Sequence, residues 1–508
     1  MSSTKKIKSA LVSVYHKDGL EPIIIQMQKL GITIYSTGGT SQYIQSLQVD
    51  VIDVSTLTGF PEVFGGRVKT LHPTVFGGIL HRRDNAEDIQ QAAQHQIPPI
   101  DMVIVDLYPF EQTAASNATH DDIIEKIDVG GIALIRGAAK NYKDVVIIPS
   151  QSDYQEALTI LSDQQGDSNL VQRKALAGKS FAITSHYDAA ICKWFDKQDD
   201  FFKSSQLQSR TLRYGENPHQ QGKYFGDLSQ LFTQVHGKEI SYNNLLDIDA
   251  AFNYISEFSA PAVAIIKHNN ACGIATSADI KSAYINALAG DPVSAFGGIV
   301  IANRNIDAAV AAEMNILFME ILIAPAIDID ALELIKSKKN RIVLLAKEFK
   351  KPTSQFRSLL NGVIWQQADN GNEIQASATW NTVTVTKPTP SQMADLIFAN
   401  QVCKNHKSNA IVLARNGQLL GSGCGMTSRV DALRHAISKA AEFGHSLQGA
   451  VMASDAFFPF PDCVEIAHQA GIVAVVQPGG SIKDSDSIQY CNTQNLSMVI
   501  TGQRHFKH

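Results

Sequence analysis

The sequence predicts an α/β protein of at least two domains, and three observations carry that prediction. Short apolar runs of strand length alternate with segments of helical spacing along the 508 residues, the pattern of strands linked through helices. Glycine-rich turns follow several of those runs, where a strand hands over to a helix. The chain is also longer than a single hydrophobic core serves.

Composition narrows the function classes. A hydrophobic fraction of 44% with 18% charged residues is ordinary for a soluble globular protein. A net charge of -5 offers no general attraction to nucleic acid or to an anionic membrane, so local Arg and Lys clusters must hold any anionic ligand. Six cysteines form no C-x-x-C pair and no disulfide-like spacing, which reads as reduced thiols in the cytoplasm. No signal peptide or membrane-spanning stretch is recognisable. Neither H-E-x-x-H nor the zinc-deaminase set occurs, so no metal site is expected.

In the first half, residues 10–14 read as a strand, 21–30 as a helix and 32–35 as a second strand. Ser36-Thr37-Gly38-Gly39-Thr40 then turns into helical residues 41–47, which has the form of a phosphate cradle and equally of an ordinary strand-to-helix turn. Residues 59–78 read as one glycine-rich loop in which Arg67, Lys69, Thr70 and His72 could wrap an anion while Phe60, Val63, Phe64, Leu71 and Phe76 anchor it. Residues 101–107 form a strand ending at Tyr108, and Asp128-Val129-Gly130-Gly131 opens a helix carrying Arg136, Lys140 and Asn141. Residues 145–148 close a Rossmann-like domain. Gly178-Lys179-Ser180 imitates the end of a P-loop, but Arg173 stands where the pattern needs glycine.

The domain boundary is expected in the polar stretch 196–209. Beyond it, the helix 248–258 leads to the strand 262–266, which stops at Lys267-His268-Asn269-Asn270 with a turn through residues 269–273. Such a strand end is either solvated or an active site in which a lysine stabilises negative charge and a histidine moves a proton. Residues 282–289 form a helix, 299–302 a strand, and Glu320 stands alone in the apolar segment 314–325. A hairpin turns at Asn416-Gly417, and a strand at 472–476 completes a second batch of strand, glycine loop and helix. The two batches suggest a duplicated unit, with no residue-level self-similarity visible.

The blocks GGRVKTLHP, LYPF, IDVGG, RYGENPHQ, KHNNACG, SAFGG, SDAFFPFPD and RHF, in this order, resemble the bifunctional AICAR transformylase/IMP cyclohydrolase family of purine biosynthesis. The resemblance implies a cyclohydrolase domain at residues 1–200, with a methylglyoxal-synthase-like core over about 1–150. It implies a transformylase domain at 201–508 made of two cytidine-deaminase-like subdomains. It places the cyclohydrolase nucleotide among Ser13, Lys17, Thr37, Gly38, Gly39, Thr40, Arg67, Lys69, Thr70 and Asp128, with Lys69, Tyr108, Asp128 and Lys140 around the reacting groups. AICAR is placed against Arg213, Tyr214, His268, Gly297, Glu320, Asn409, Arg429 and Arg504, and folate near Val430, Asp462, Ser481 and Ile482, with Lys267 and His268 as the catalytic pair. The substrates implied are AICAR, formyl-AICAR and IMP with 10-formyltetrahydrofolate as co-substrate, no metal or redox cofactor, and a homodimer. The chain departs from the family's usual residues at Tyr15 and His16 (Ser and Asp), Asp106 (Asn) and Ala271 (Pro).

Overall fold

A computed structural model describes residues 4–196 and 200–508. The chain divides into two compact units, Met1–Gln208 and Ser209–His508. Among the described residues no helix is long and apolar enough to cross a membrane.

The first unit is built on five strands: β1 (Ser9–Ser13), β2 (Thr33–Ser36), β3 (Ile52–Asp53), β4 (Met102–Val105) and β5 (Val146–Ile148). They pair in the order β3-β2-β1-β4-β5, every pair parallel. Leu11, Val12, Val103, Ile104 and Ile147 are fully buried, as expected of parallel strands covered on both faces. Because β1 lies between β2 and β4, the chain winds outward from it in both directions, which opens a crevice at the carboxyl ends of β1 and β4.

Three local expectations are corrected here. The helix Gly38–Ser46 starts inside the glycine turn, after the extended residue Thr37. The stretch 59–78 is not one loop, since Pro73–Leu80 is helical, started by Pro73 and by His72, which accepts from Thr74 N. Nor do the five residues expected to anchor it do so as a set: Phe60 and Phe64 are 53% and 78% exposed, and of the five only Phe76 packs on the core. A backbone bridge between Val63 and Val68 closes the loop instead. Lys179 lies on the helix Leu170–Phe195 and pairs with Asp153 at 2.7 Å, while the fully buried Arg173 donates to the carbonyls of Tyr142, Lys143 and Ser168.

The second unit holds β6 (Phe232–His236), β7 (Ala262–Lys267), β8 (Asn270–Thr276), β9 (Ile299–Ala302), β10 (Ile321–Ala324) and β11 (Ile342–Ala346). It continues with β12 (Asn381–Thr382), β13 (Ile411–Arg415), β14 (Gln418–Gly423), β15 (Val451–Ser454), β16 (Ala474–Gln477) and β17 (Ser497–Ile500). All join one sheet in the order β6-β11-β10-β9-β7-β8-β14-β13-β15-β16-β17-β12. β7 pairs antiparallel with β8 and β9, β9 to β11 run parallel, and β6 closes that edge antiparallel. β13 repeats the scheme with β14 and β15, followed by parallel β16 and β17 and antiparallel β12. The unit is therefore a duplication.

The copies also share details that apolar patterning hides. Each central hairpin carries a bulge at the same step, between Ile265 and Ile266 and between Leu413 and Ala414. Gly273 and Gly421 occupy equivalent places: a Cβ would lie 1.9 Å from Ala287 O on the first and 2.3 Å from Ala436 O on the second. Both glycines thus let the helices Ile280–Gly290 and Arg429–Glu442 lie directly on their strands. The copies join at one antiparallel pair, Ala275 with Gln418, supported by Thr276 N donating to Gly417 O at 2.8 Å.

Two of the element limits that differ from the sequence reading lie beside Lys267 and His268. The helix expected at 248–258 is Tyr242–Ile255, because Ser241 and Asn244 form a capping box. The turn expected through 269–273 is only His268 and Asn269, since Asn270–Thr276 is strand.

Gly273→Ala is expected to destabilise the protein by about 2 kcal/mol, because the new methyl meets backbone that cannot move aside. Gly178→Ala, with no atom within 4 Å of the added Cβ, is the control and leaves the unfolding midpoint unchanged or slightly raised. Urea or thermal denaturation measures both.

Candidate active sites

The crevice of the first unit is a cavity of about 620 Å³ at the carboxyl ends of β1, β2 and β4. Ser13, Lys17, Thr37, Gly39, Thr40, Arg67, Lys69, Thr70, Tyr108 and Asp128 all line it. Gly38 stands just behind, where a Cβ would come within 3.3 Å of Lys69 Nζ. Lys140 is not part of the lining: it is exposed at the far end of the helix Gly130–Lys140, about 15 Å of helix rise from the glycines that face the cavity.

The cavity's cations are held by carboxylates that can be displaced. Arg67 pairs with Glu125, and Lys69 with Glu62 at 2.8 Å, in exposed or half-exposed pairs of little net strength. Lys17 donates to the carbonyls of Val14 and Tyr15 (2.7 and 2.9 Å), and burial lowers its pKa against the opposing pull of Asp106. Asp128 accepts from Gly131 N at 2.6 Å. A Cβ on Gly131 would lie 2.5 Å from Asp128 Oδ2, so the glycine is a condition of that contact. Burial raises the Asp128 pKa, offset in part by the N–H groups of Gly131 and Tyr108.

Sequence reasoning did not single out Lys126, and it did not join Asp106 to the residues it bonds. Lys126 lies over the rings of Tyr15 and Tyr108, 5.2 and 5.9 Å from their centroids. The buried Asp106 accepts from the backbone N–H of Tyr15, from His16 N at 3.0 Å and from His16 Nδ1 at 2.8 Å. Tyr15, His16 and Asp106 are three of the four departures from the family's usual residues, and they form one hydrogen-bonded unit. The available signal was three departures, at and just beyond the ends of two expected strands.

In the second unit the strand directions bring the expected residues to one edge of the sheet. β7 ends there, β9, β10 and β13 begin there, and β14, β15 and β16 end there. Lys267 Nζ donates to Phe296 O at 2.6 Å, Gly297 N to Phe318 O at 2.7 Å, and Glu320 N to Gly298 O at 2.9 Å. Lys267, His268, Gly297 and Glu320 thus form one cluster. Glu320 is not isolated among apolar groups: it sits half-exposed just before β10 and pairs with Lys238 at 2.6 Å. Asp247, on the helix Tyr242–Ile255, accepts from Asn269 N at 2.6 Å.

A second cluster on the same edge joins Arg429 to Asn409 Oδ1 and to the buried Asp455, each at 2.8 Å. Asn270 Oδ1 accepts from Lys407 N at 3.3 Å and so ties the Lys267 turn to the segment carrying Asn409. The remaining expected residues touch only their own surroundings. Arg213 lies over the Tyr214 ring at 4.7 Å and Arg504 over Phe506 at 4.3 Å. Asp462 Oδ1 accepts from Cys463 N, Ser481 Oγ from Lys483 N, Val430 packs against the core, and Ile482 is 98% exposed. Behind Arg504, His505 is buried. Burial opposes its protonation, but bonds to Asp369 and Glu373 prevail and raise its pKa to about 9.

A cavity of about 200 Å³ lies beside the strand end, lined by Lys267, His268, Cys272, Asp291, Cys424, His435 and Lys439 among others. Burial pushes the Cys272 thiol up to about 12, which leaves it neutral and removes it as a nucleophile.

Two family models match the chain: an MGS-like domain over residues 19–133 and the AICARFT/IMPCHase bienzyme over residues 138–439. The chain is 57% identical to the Bifunctional purine biosynthesis protein PurH of Bacteroides thetaiotaomicron, over 100% of both chains. It is 45% identical to the protein of that name from Aquifex aeolicus, over 98% of this chain and 100% of the relative. For the one from Persephonella marina the identity is 44%, over 99% and 100%. With a family model spanning more than half the residues and likeness running from end to end, the chain belongs to the AICARFT/IMPCHase bienzyme family.

Proposed function

We propose that the two units divide the bienzyme family's reactions, the first unit closing the purine ring of formyl-AICAR and the second transferring the formyl group to AICAR. One observation carries this division: each unit holds its own cavity with its own set of proton-transfer groups, Lys69, Tyr108 and Asp128 in one, Lys267 and His268 in the other.

In ring closure the carboxamide nitrogen attacks the formyl carbon, and water leaves. Lys17, Arg67, Thr70 and the amino end of the helix Gly38–Ser46 hold the phosphate. Asp128 orients the amide, while Lys69 and Tyr108 donate to the oxygen that becomes an oxyanion and departs as water. In formyl transfer the AICAR amine attacks the formyl carbon of 10-formyltetrahydrofolate. His268 takes the amine proton, Lys267 stabilises the tetrahedral oxyanion, and the departing folate nitrogen is reprotonated. Gly297, Glu320, Asn409, Arg429, Arg213, Tyr214 and Arg504 serve AICAR, and Val430, Asp462, Ser481 and Ile482 serve the folate. The reading includes a homodimer. The reading includes a cytoplasmic setting and no metal. The hydrogen bonds within Tyr15, His16 and Asp106 favour a working first site over one decayed by substitution.

Incubation with AICAR and 10-formyltetrahydrofolate is expected to yield IMP, and accumulation of formyl-AICAR would overturn the role of the first unit. Lys69→Ala is expected to slow cyclisation of supplied formyl-AICAR by about 100-fold or more and to leave formyl transfer intact. Lys267→Ala does the reverse.

Asp128→Asn tests the electrostatics. A carboxyl whose folded pKa is raised contributes stability below its unfolded pKa and loses it as pH rises through the folded value. At neutral pH the ionised Asp128 is therefore a cost. The variant is expected to unfold at a higher temperature than the wild type at pH 7, with the gap closing towards pH 3, and to lose ring closure. Melting curves across that range check the sign.

A further inference from the structure

The His268–Asn269 turn is unusual for what it carries. Both residues are left-handed, at φ 51° and 66°, which is the backbone of a two-residue hairpin turn that prefers Asn-Gly. The other copy has that preferred pair in the equivalent turn, Asn416 at φ 53° and Gly417 at 67°. A histidine held left-handed needs something to keep it there.

The duplication shows what that is. Asp247 is the sixth residue of Tyr242–Ile255, and Asp395 is the sixth residue of Pro390–Asn405. Both helices start from a capping box, Ser241 with Asn244 and Thr389 with Gln392. Asp395 accepts from Asn416 N and Gly417 N at 2.9 and 2.8 Å. Asp247 accepts from Asn269 N at 2.6 Å, and the Asn269 amide, turned to donate, adds bonds to Leu246 O and Asp247 Oδ1 at 3.0 and 3.1 Å. The same carboxylate clamps the same turn in both copies. Only one of the two turns carries a lysine-histidine pair.

We infer that Asp247 is a positioning residue for formyl transfer, its carboxylate pinning the left-handed turn so that Lys267 at the strand end and His268 in the turn are held for one substrate. The inference rests on the assignment of formyl transfer to Lys267 and His268. Asp247 acts by accepting a backbone N–H, so its charge is dispensable and the acceptor is not. Asp395 does the same for a turn without chemistry, and its loss costs stability alone.

The test is steady-state kinetics of formyl transfer on full-length variants, with cyclisation of supplied formyl-AICAR as the report of a folded chain. Asp247→Ala is expected to lower kcat by about tenfold or more with KM for AICAR within about threefold, and to leave cyclisation unchanged. Asp247→Asn keeps an acceptor at the same place and is expected to stay within about threefold of wild type. Asn269→Gly added to Asp247→Ala is expected to restore most of the lost kcat, because glycine adopts the left-handed conformation unaided. Asp395→Ala lowers the melting temperature and leaves kcat unchanged. Wild-type kcat in Asp247→Ala, equal loss in Asp247→Asn and Asp247→Ala, or no recovery in the double variant would each overturn the inference. Full formyl transfer by Lys267→Ala would instead overturn the site assignment on which it rests.

Discussion

One antiparallel splice governs the second unit. Had the two copies met through parallel strands, their equivalent ends would face the same way and the site would be a repeat of itself. Ala275 pairs antiparallel with Gln418 instead. The amino ends of β9 and β10 therefore share an edge with the carboxyl ends of β15 and β16, and that edge receives different residues from each copy. Lys267, His268, Gly297 and Glu320 come from one copy, Asn409, Arg429 and Asp455 from the other. A duplicated scaffold thus yields an asymmetric site without altering its strand order.

The first unit reaches a polar cavity by another route. Its parallel sheet is apolar on both faces, so functional groups collect only where loops leave β1, β2 and β4 at the switch of winding direction. Two of the cations there, Arg67 and Lys69, face the carboxylates of Glu125 and Glu62 at the mouth of the cavity. Asp106 lies below them and organises the first loop through the N–H groups of Tyr15 and His16.

How much was legible in the sequence follows from how local each feature is. The strand at Ile299–Ala302 could be read to the residue because it is an apolar run bounded by glycine and by polar residues. The hairpin at Asn416-Gly417 announces itself through turn chemistry. Arg67, Lys69 and Thr70 were found because they sit within a few positions of one another. Asp247 and Asp455 were not singled out, because each works through partners far away in the chain, and Asp106 stood out only as a departure from the family's residue, without its bonds to Tyr15 and His16. The duplication was only suspected, because buried strand positions accept any apolar residue. What survives of it lies in scattered pairs such as Gly273 with Gly421 and Asp247 with Asp395. Lys140 reads as a neighbour of Asp128 in sequence, but the intervening helix carries it away from the cavity.

The central claim is that the two reactions run at separate cavities in separate units, joined by a product that one site makes and the other consumes. Mixing Lys267→Ala protein with Lys69→Ala protein, and supplying AICAR and 10-formyltetrahydrofolate, tests it most directly. The account predicts that either variant alone forms IMP at about a hundredth of the wild-type rate or less, and that the mixture forms it faster, after a lag during which formyl-AICAR rises and is then drawn down. A mixture that accumulates formyl-AICAR without converting it, or IMP formed by either variant alone near the wild-type rate, would contradict the claim.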